Sequence, residues 1–181
     1  FLVEAIDIIH ETLLKRWKRL GHSNRKIEDL WNDYVPKHLL PRLHGYEIMM
    51  APYAIAHLKI GLKLYETGYR FWSNERARVY LTNALEPVQD FSGTLAFAIP
   101  ALAHEAKEVN AIKRDKKFTV VIGNPPYAAF SSNMGQWISE QIEDFKYVDG
   151  EHFKEVKHWL YDDYVKFVRL GYFVLDRAGW G

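Results

Sequence analysis

The sequence contains no cysteine among its 181 residues. Disulfides and thiolate metal sites are therefore excluded, which fits a reducing, cytoplasmic environment. No stretch approaches about 18 uninterrupted apolar residues, so neither a transmembrane helix nor a membrane partner is predicted. An excess of charge is also lacking, because the net charge is +1. The charge of the whole chain therefore gives no indication of a nucleic-acid partner.

The sequence also lacks histidines and acidic residues at the spacing that metal-binding sites use. His104, His152 and His158 lack a paired histidine with supporting acids at the spacing that metal sites use. His57 falls on the apolar face of a predicted helix, where a hydrogen-bonded core histidine is more common than a ligand. The sequence therefore predicts no metal site.

Residues that build a hydrophobic core are plentiful. Apolar residues make up 48% and charged residues 26% of the chain, which is typical of soluble globular proteins. The length corresponds to about one domain. The chain starts at Phe1 as though inside a helix and stops at Gly181 after a helix-like terminus, so we expect a piece of a longer protein.

Helices are predicted where apolar residues recur at three- and four-residue spacing. They cover approximately residues 2–17, 50–65, 95–109 and 152–177, with a shorter helix starting at Ser23 or Asn24. Pro100 either kinks the third of these helices or marks its true start. Pro36 and Pro41 predict an irregular connection.

These helices have predicted apolar stripes. That of the first helix is Leu2, Ile6, Ile9, Leu13 and Trp17. That of the 50–65 helix is Met50, Tyr53, Ala54, His57, Leu58, Gly61, Leu62 and Tyr65. That of the final helix is Tyr164, Phe167, Val168, Gly171, Tyr172 and Leu175. Asp162 and Asp163 are expected to be a pair on the helix surface. Residues 128–150 are expected to be rich in loops, with Ser131–Gly135 the most mobile part.

Short strands are predicted between the helices, at Leu43–Glu47, Ala77–Thr82 and Phe118–Ile122. The last is nearly continuous in apolar residues, as expected for a strand buried on both faces of a parallel sheet. Alternating strands and helices predict an α/β fold. Ligands of such sheets bind at the carboxyl ends of the strands. Glu47, Asn83 and Asn124 fall at these predicted ends.

The segment Asn124-Pro125-Pro126-Tyr127 is the most specific feature of the sequence. Two consecutive prolines stiffen the turn and remove two backbone donors. The Asn124 side chain and the Pro125 carbonyl are then placed to accept both hydrogens of an exocyclic amino group, and Tyr127 offers a ring face to a planar base. Oxygen acceptors there stabilise the positive charge that develops when the nitrogen is alkylated.

This segment, within Val121–Tyr127, resembles motif IV of the amino-methyltransferases that act on adenine N6 in DNA. The resemblance implies that Asn124 and the proline carbonyl, in the Pro125-Pro126 turn, bind the target amino group. It also implies that Tyr127 stacks on the base after the base has been flipped out of the helix.

Further segments resemble the modification part of single-polypeptide restriction–modification enzymes. Gly45–Leu58 is similar to motif II, and this implies that Glu47 binds the ribose hydroxyls of S-adenosylmethionine. Arg78–Leu85 is similar to motif III, in which Asn83 stands where an aspartate that contacts the cofactor adenine is common. Strand-end capping is an equal alternative for Asn83. Asn124 is also assigned to the cofactor site.

The ends of the chain fit the same family. Asp162–Phe167 resembles the helix after motif IV, and Phe1–Ala5 resembles the helix after motif I. The resemblance implies that residues 1–181 are a partial catalytic domain, running from motif II to motif IV and the following helix. The implied fold is a truncated, helix-rich, Rossmann-like S-adenosylmethionine-dependent methyltransferase without its first strand and its C-terminal strands.

Several expectations follow from this resemblance. The glycine-rich turn of motif I is missing from the sequence, so we expect weakened cofactor binding and an inactive fragment. The family order places a first strand between those ending at Glu47 and Asn124, and its absence leaves an edge that favours self-association. The parent protein is expected to bind DNA and to carry fused helicase, nuclease and target-recognition domains.

Two alternatives remain open from the sequence. The Asn-Pro-Pro-Tyr turn also occurs in methyltransferases that act on a protein glutamine amide, which is likewise a planar amino-bearing group. The long insertion between Tyr127 and the final helix, and the segment Met49–His57, favour DNA. The second alternative is a non-catalytic module that serves as an assembly scaffold.

Overall fold

The computed structural model describes residues 1–87, 100–127, 131–152 and 158–179. The chain divides into two compact units, Phe1–Thr82 and Asn83–Gly181. Helices predominate, and the first unit contains a small parallel sheet. The mixed, helix-rich α/β class is confirmed. The Rossmann-like sheet of a methyltransferase, and a catalytic domain spanning 1–181, stay predictions.

The first unit alternates helices with two short strands. Its elements are α1 (Leu2–Arg19), α2 (Asn24–Tyr34), a π-helical turn (Val35–Leu39), β1 (His44–Glu47), α3 (Met50–Glu66) and β2 (Arg78–Leu81). The predicted bounds of α1, β1, α3 and β2 agree to within a few residues. Ser23 caps α2 and the helix begins at Asn24, which agrees with the predicted start at Ser23 or Asn24.

The connection around Pro36 is helical, so the irregular segment predicted there is wrong. A π-helical turn continues α2 through Val35–Leu39, and it buries Val35, Pro36 and Leu39. Proline lacks the N–H that an α-helical turn uses and crowds the preceding turn. The wider π-helical turn accommodates both features while keeping the apolar side chains in the core.

β1 and β2 are parallel, with His44 opposite Arg78 and Glu47 opposite Leu81. α3 connects them. A Cβ on Gly45 would lie 3.2 Å from the Leu2 Cδ1 atom, so the glycine lets α1 approach the strand closely. This β1–α3–β2 arrangement places Glu47 at the carboxyl end of its strand, as predicted.

The core of the first unit forms between the helices and the sheet. Its buried members are Ile6, Trp31, Val35, Leu39, Leu40, Ile60, Leu64, Tyr69 and Val79. The predicted α1 stripe is confirmed, because Ile6 is buried and Leu2, Ile9, Leu13 and Trp17 pack against this core. His57 is half-buried and its Nε2 atom lies 3.1 Å from the Val79 carbonyl oxygen, as a satisfied core histidine requires.

The predicted apolar stripe of α3 is partly wrong. Ile60 and Leu64 are the buried residues, whereas Leu58, Leu62 and Tyr65 are exposed. α3 is apolar around most of its circumference, so periodicity does not identify the face that meets the core.

The second unit contains longer irregular segments. Its elements are α4 (Pro100–Asp115), α5 (Gln136–Glu143), a 3-10 turn (Asp144–Lys146), β3 (Tyr147–Val148), β4 (Glu151–His152), a second 3-10 turn (His158–Tyr161) and α6 (Asp163–Asp176). β3 and β4 form an antiparallel pair. Pro100 is the first described residue of α4, so the choice between a kink and a helix start at Pro100 stays a prediction. The predicted helical residues 95–99 lie outside the described residues.

The buried strand predicted at Phe118–Ile122 is wrong. This segment has no regular secondary structure, and Val120, Val121 and Ile122 are 68%, 46% and 62% exposed. A strand needs a neighbour to pair its backbone N–H and C=O groups. Within the ranges that the structure describes, no strand lies beside this segment. Asn124 therefore follows an extended segment and not a strand of a sheet.

The segment after Tyr127 is more ordered than the predicted loop. α5 and the β3–β4 pair lie within it. α6 begins at Asp163, later than predicted, because the Asp162 side chain caps it by accepting a hydrogen bond from the Tyr164 N–H at 2.7 Å. Residues 153–157 of the predicted helix lie outside the described residues. No described helix combines the length and the apolarity needed to cross a membrane.

Candidate active site

The Asn-Pro-Pro-Tyr turn lies on the surface of the second unit. Asn124 and Pro126 are exposed and Pro125 is half-buried. In the described part of the chain, neither the Asn124 side chain nor the Pro125 carbonyl has a hydrogen-bond partner. The turn thus presents two oxygen acceptors that the described residues leave unused.

Tyr127 is 83% exposed. Its ring stacks on that of Tyr164, with centroids 5.3 Å apart and an angle of 11° between the planes. The Tyr164 ring therefore covers one face of the Tyr127 ring and helps to fix its orientation. The exposure of the rest of the ring leaves it accessible to another planar group.

Glu47 lies at the end of β1 in the first unit. Its Oε1 atom accepts hydrogen bonds from the backbone N–H groups of Ile48 and Met49, both at 2.9 Å. These contacts fix the carboxylate at the entrance to α3. The Oε2 atom has no hydrogen-bond partner among the described residues, so it remains available as an acceptor.

Asn83 directly follows the first unit, at the start of the second. Its Oδ1 atom accepts from the Leu85 N–H at 3.0 Å, and its Nδ2 atom donates to Asn133 Oδ1 at 2.9 Å and to Glu86 Oε1 at 3.3 Å. Both side-chain donor hydrogens are therefore in use.

Lys113 supports the same loop from α4. Its ammonium group donates to the carbonyl oxygens of Asn83 at 2.8 Å and Glu86 at 3.0 Å. Burial lowers the pKa of Lys113 from its ordinary value, and the charge of Glu86 opposes this shift. The loop after β2 is thus tied to α4 by a partly desolvated cation.

The structure brings Asn83 and the Asn124–Tyr127 turn into one compact unit, and Glu47 belongs to the other unit. The residues assigned to the cofactor, Glu47, Asn83 and Asn124, are thus divided between the two. No group of three or more histidine, aspartate or glutamate side chains that could hold a metal ion occurs among the residues described.

A polar cluster that sequence reasoning missed lies behind the turn. Lys166 of α6 is 1% exposed, and Asp163 is 7% exposed. The predicted surface pair is therefore wrong, since Asp162 caps α6 and Asp163 is buried. A lysine three residues after an aspartate on a helix was the available signal, because such residues share a face.

One comparison with known protein families matches most of the chain, including β1, β2 and the second unit. The family model of the Eco57I restriction-modification methylase matches residues 42–181. No curated protein and no solved structure matches the chain. The matched range contains Glu47, Asn83 and the Asn124–Tyr127 turn, whereas α1 and α2 precede it. Because the match covers more than half of the sequence, the chain belongs to the Eco57I restriction-modification methylase family.

Proposed function

We propose that this chain is the catalytic part of a DNA methyltransferase that transfers a methyl group from S-adenosylmethionine to adenine N6. The family supports a methylase of a restriction–modification system. The observation that carries the adenine assignment is the exposed turn with unused acceptors at Asn124 and Pro125. Such a pair of acceptors suits a planar amino group with two hydrogens.

The proposed chemistry is a direct displacement at the methyl carbon. Asn124 Oδ1 and the Pro125 carbonyl accept the two N6 hydrogens and so direct the nitrogen lone pair away from the turn. S-adenosylmethionine would supply the methyl group, and the two oxygens would stabilise the positive charge that develops on N6 as it is methylated. The methylated nitrogen then releases one proton to water.

The turn is suited to this task because its two prolines stiffen the backbone. Two prolines restrict the backbone on the C-terminal side of Asn124, so little reorganisation is needed when the amino group arrives. S-adenosylmethionine supplies a sulfonium-activated methyl group, so no strong general base is required from the protein.

Tyr127 is proposed to hold the target base after it leaves the DNA duplex. Extraction of a base costs a few kcal/mol, and stacking on an aromatic ring offsets about 1–3 kcal/mol of this. The Tyr164 ring, 5.3 Å from the Tyr127 ring, limits the orientations that Tyr127 adopts. A ring held in this way loses less conformational entropy when the base binds.

Glu47 and Asn83 are proposed to hold the cofactor. The Glu47 carboxylate is fixed through one oxygen and has the other free, which fits a ribose hydroxyl donor. The hydrogen bonds of Asn83 to Leu85 and Asn133 hold its side chain in the loop after β2, where we propose that it contacts the cofactor adenine. An asparagine at position 83, where an aspartate is common in the family that the sequence resembles, is consistent with the structure. The Asn83 Nδ2 atom donates hydrogen bonds to Asn133 and Glu86, which an aspartate could not do.

The test is a methylation assay with the complete protein and radiolabelled S-adenosylmethionine. Duplex DNA and a release factor with a methylatable glutamine are offered in parallel, and labelled DNA is digested to nucleosides. We expect label in N6-methyldeoxyadenosine. Label in the release factor alone would establish the protein-glutamine alternative, and label in neither would support the scaffold alternative.

A further inference from the structure

α6 buries three charged residues and exposes half of the predicted apolar stripe. Asp163, Lys166 and Arg169 are 7%, 1% and 7% exposed. Tyr164, Val168 and Tyr172, which were predicted to face the core, are exposed. Burying charged groups is costly unless each is paired and hydrogen-bonded. The buried charged groups of α6 are therefore expected to have hydrogen-bonding partners in the segments that pack against the helix.

Arg169 and Lys166 attach different parts of the preceding segment to α6. Arg169 donates from Nε to the Gln141 carbonyl at 2.8 Å and from Nη2 to Asp144 Oδ2 at 2.5 Å, which anchors the end of α5. Lys166 donates from Nζ to Ser131 Oγ at 2.7 Å and to the Asn133 carbonyl at 2.5 Å.

Asp163 completes the cluster around Lys166. Its Oδ1 atom accepts from Ser131 Oγ at 2.5 Å and from Asn133 Nδ2 at 3.0 Å. Burial lowers the pKa of Lys166, and the charges of Asp163 and Asp162 oppose that shift. Ser131 and Asn133 therefore lie between a buried cation and a buried anion on one helical turn.

The same turn contacts the Asn-Pro-Pro-Tyr segment. Tyr164, between Asp163 and Lys166 in sequence, stacks against Tyr127. Tyr127 precedes residues 128–130, and Ser131 follows them. The first turn of α6 thus holds the chain on both sides of this three-residue stretch. Asn133 also accepts the hydrogen bond from Asn83, which extends the cluster to the loop after β2.

We propose that Lys166 is a positioning residue for the Asn124–Tyr127 turn. Lys166 binds Ser131 and Asn133 to the first turn of α6. Tyr164 of the same helical turn stacks against Tyr127. The consequence for catalysis rests on the proposed function. Asp163 and Ser131 complete the anchor. A 1 Å displacement of a positioning group can cost about a hundredfold in rate, so loss of this anchor is expected to affect turnover strongly.

The test compares Lys166→Met with Lys107→Met in the complete protein. Methionine keeps most of the aliphatic volume of Lys166 and removes the ammonium group. Lys107 is an exposed residue of α4, so its variant controls for the loss of one positive charge. Thermal unfolding and hydrogen exchange of residues 131–135 are measured together with methylation.

We expect Lys166→Met to unfold cooperatively, to exchange faster at 131–135, and to lower kcat by about tenfold to a hundredfold. Affinity for duplex DNA should stay at the wild-type value, as should every property of Lys107→Met. Wild-type exchange at 131–135 in folded Lys166→Met would overturn the proposal, as would wild-type kcat.

A double-mutant cycle separates positioning from general stability. If Lys166 acts by positioning Tyr127, adding Lys166→Met to Tyr127→Ala should cause little further loss of turnover. Fully additive losses would contradict the proposal. Should Lys166→Met fail to fold, Ser131→Ala removes the hydroxyl bridge at a small change in volume, and the same outcomes apply.

The exchange measurement also separates this inference from the proposed function. Faster exchange at 131–135 in a protein that does not methylate DNA would support the anchor while rejecting the assigned reaction. Unchanged exchange in an active methyltransferase would reject the anchor alone.

Discussion

Single residues of the turn and of the end of β1 each supply one of the proposed ligand-binding groups. Asn124 provides an amide oxygen, Tyr127 provides a ring face, and Glu47 provides a carboxylate oxygen that the backbone leaves free. Each of these groups is at least partly accessible to solvent. Substituting them should therefore change ligand binding or turnover much more than stability.

Tyr127→Ala in the complete protein should weaken capture of the target base. Stacking is worth about 1–3 kcal/mol per base, which corresponds to about a 5- to 150-fold loss. Tyr127→Phe keeps the ring and should retain most of the activity. Fluorescence of 2-aminopurine placed at the target position reports the flipped base.

The matched control for this change is Tyr65→Ala, because Tyr65 of α3 is similarly exposed, at 73%. This variant should behave like the wild type. Equal base capture by Tyr127→Ala and the wild type would remove stacking from the mechanism.

Glu47→Gln should raise the dissociation constant for S-adenosylmethionine. Glutamine keeps an oxygen for the Ile48 and Met49 N–H groups but removes the charge that strengthens a hydrogen bond to a ribose hydroxyl. Hydrogen bonds to charged groups are worth about 1.5–3 kcal/mol, so we expect roughly a tenfold or larger loss by calorimetry. Glu4→Gln, at an exposed position in α1, is the control, and equal affinities of the two variants would exclude Glu47 from the cofactor site.

Secondary-structure elements were predictable from the sequence where one local pattern determines them. α1 has a single apolar stripe, and Ser23 gives a capping signal at the start of α2. β1 and β2 are short strands joined by a helix, and they pair with each other. Local patterns were sufficient for these elements because each carries its own periodicity, composition or capping signal.

Elements that depend on distant partners were predicted poorly. Phe118–Ile122 has the composition of a strand but no neighbouring strand in the described part of the chain. The buried face of α6 is polar because Lys166 and Asp163 find Ser131 and Asn133 about thirty residues earlier. Apolar periodicity contains no information about such pairs.

Asn32 of α2 offers a test of how the elements of the first unit are held together. Its Nδ2 atom donates to the Gly68 carbonyl at 3.0 Å, and its Oδ1 atom accepts from the Arg70 N–H at 2.8 Å. Asn32→Leu leaves these backbone groups unpaired, which should lower the free energy of unfolding by about 1–3 kcal/mol.

The control is Asn24→Leu, since Asn24 is an exposed residue of the same helix. Urea unfolding monitored by circular dichroism measures both variants. If Asn32→Leu were as stable as Asn24→Leu, the buried amide would not tie α2 to the segment after α3.

At the scale of the whole molecule, the sequence was sufficient to identify the family. The structure assigns the proposed site residues to two compact units. The Asn124–Tyr127 turn was recognisable because four consecutive residue types specify one chemistry, expected by chance in about one in a thousand chains of this length. Its surroundings were not recognisable, because Tyr164 and Lys166 reach the turn through tertiary contacts. The two compact units separate Glu47 from Asn83 and Asn124 in the chain.

The most direct measurement of the central claim is methyl transfer to adenine N6 by Asn124→Ala. The complete protein is assayed on duplex DNA beside the wild type and Ser132→Ala, an exposed control in the same unit. Loss of a preorganised group that stabilises developing charge costs about a hundredfold to a thousandfold, so we predict that loss for Asn124→Ala with unchanged thermal unfolding. Wild-type rates of N6-methyldeoxyadenosine formation by folded Asn124→Ala would contradict the account.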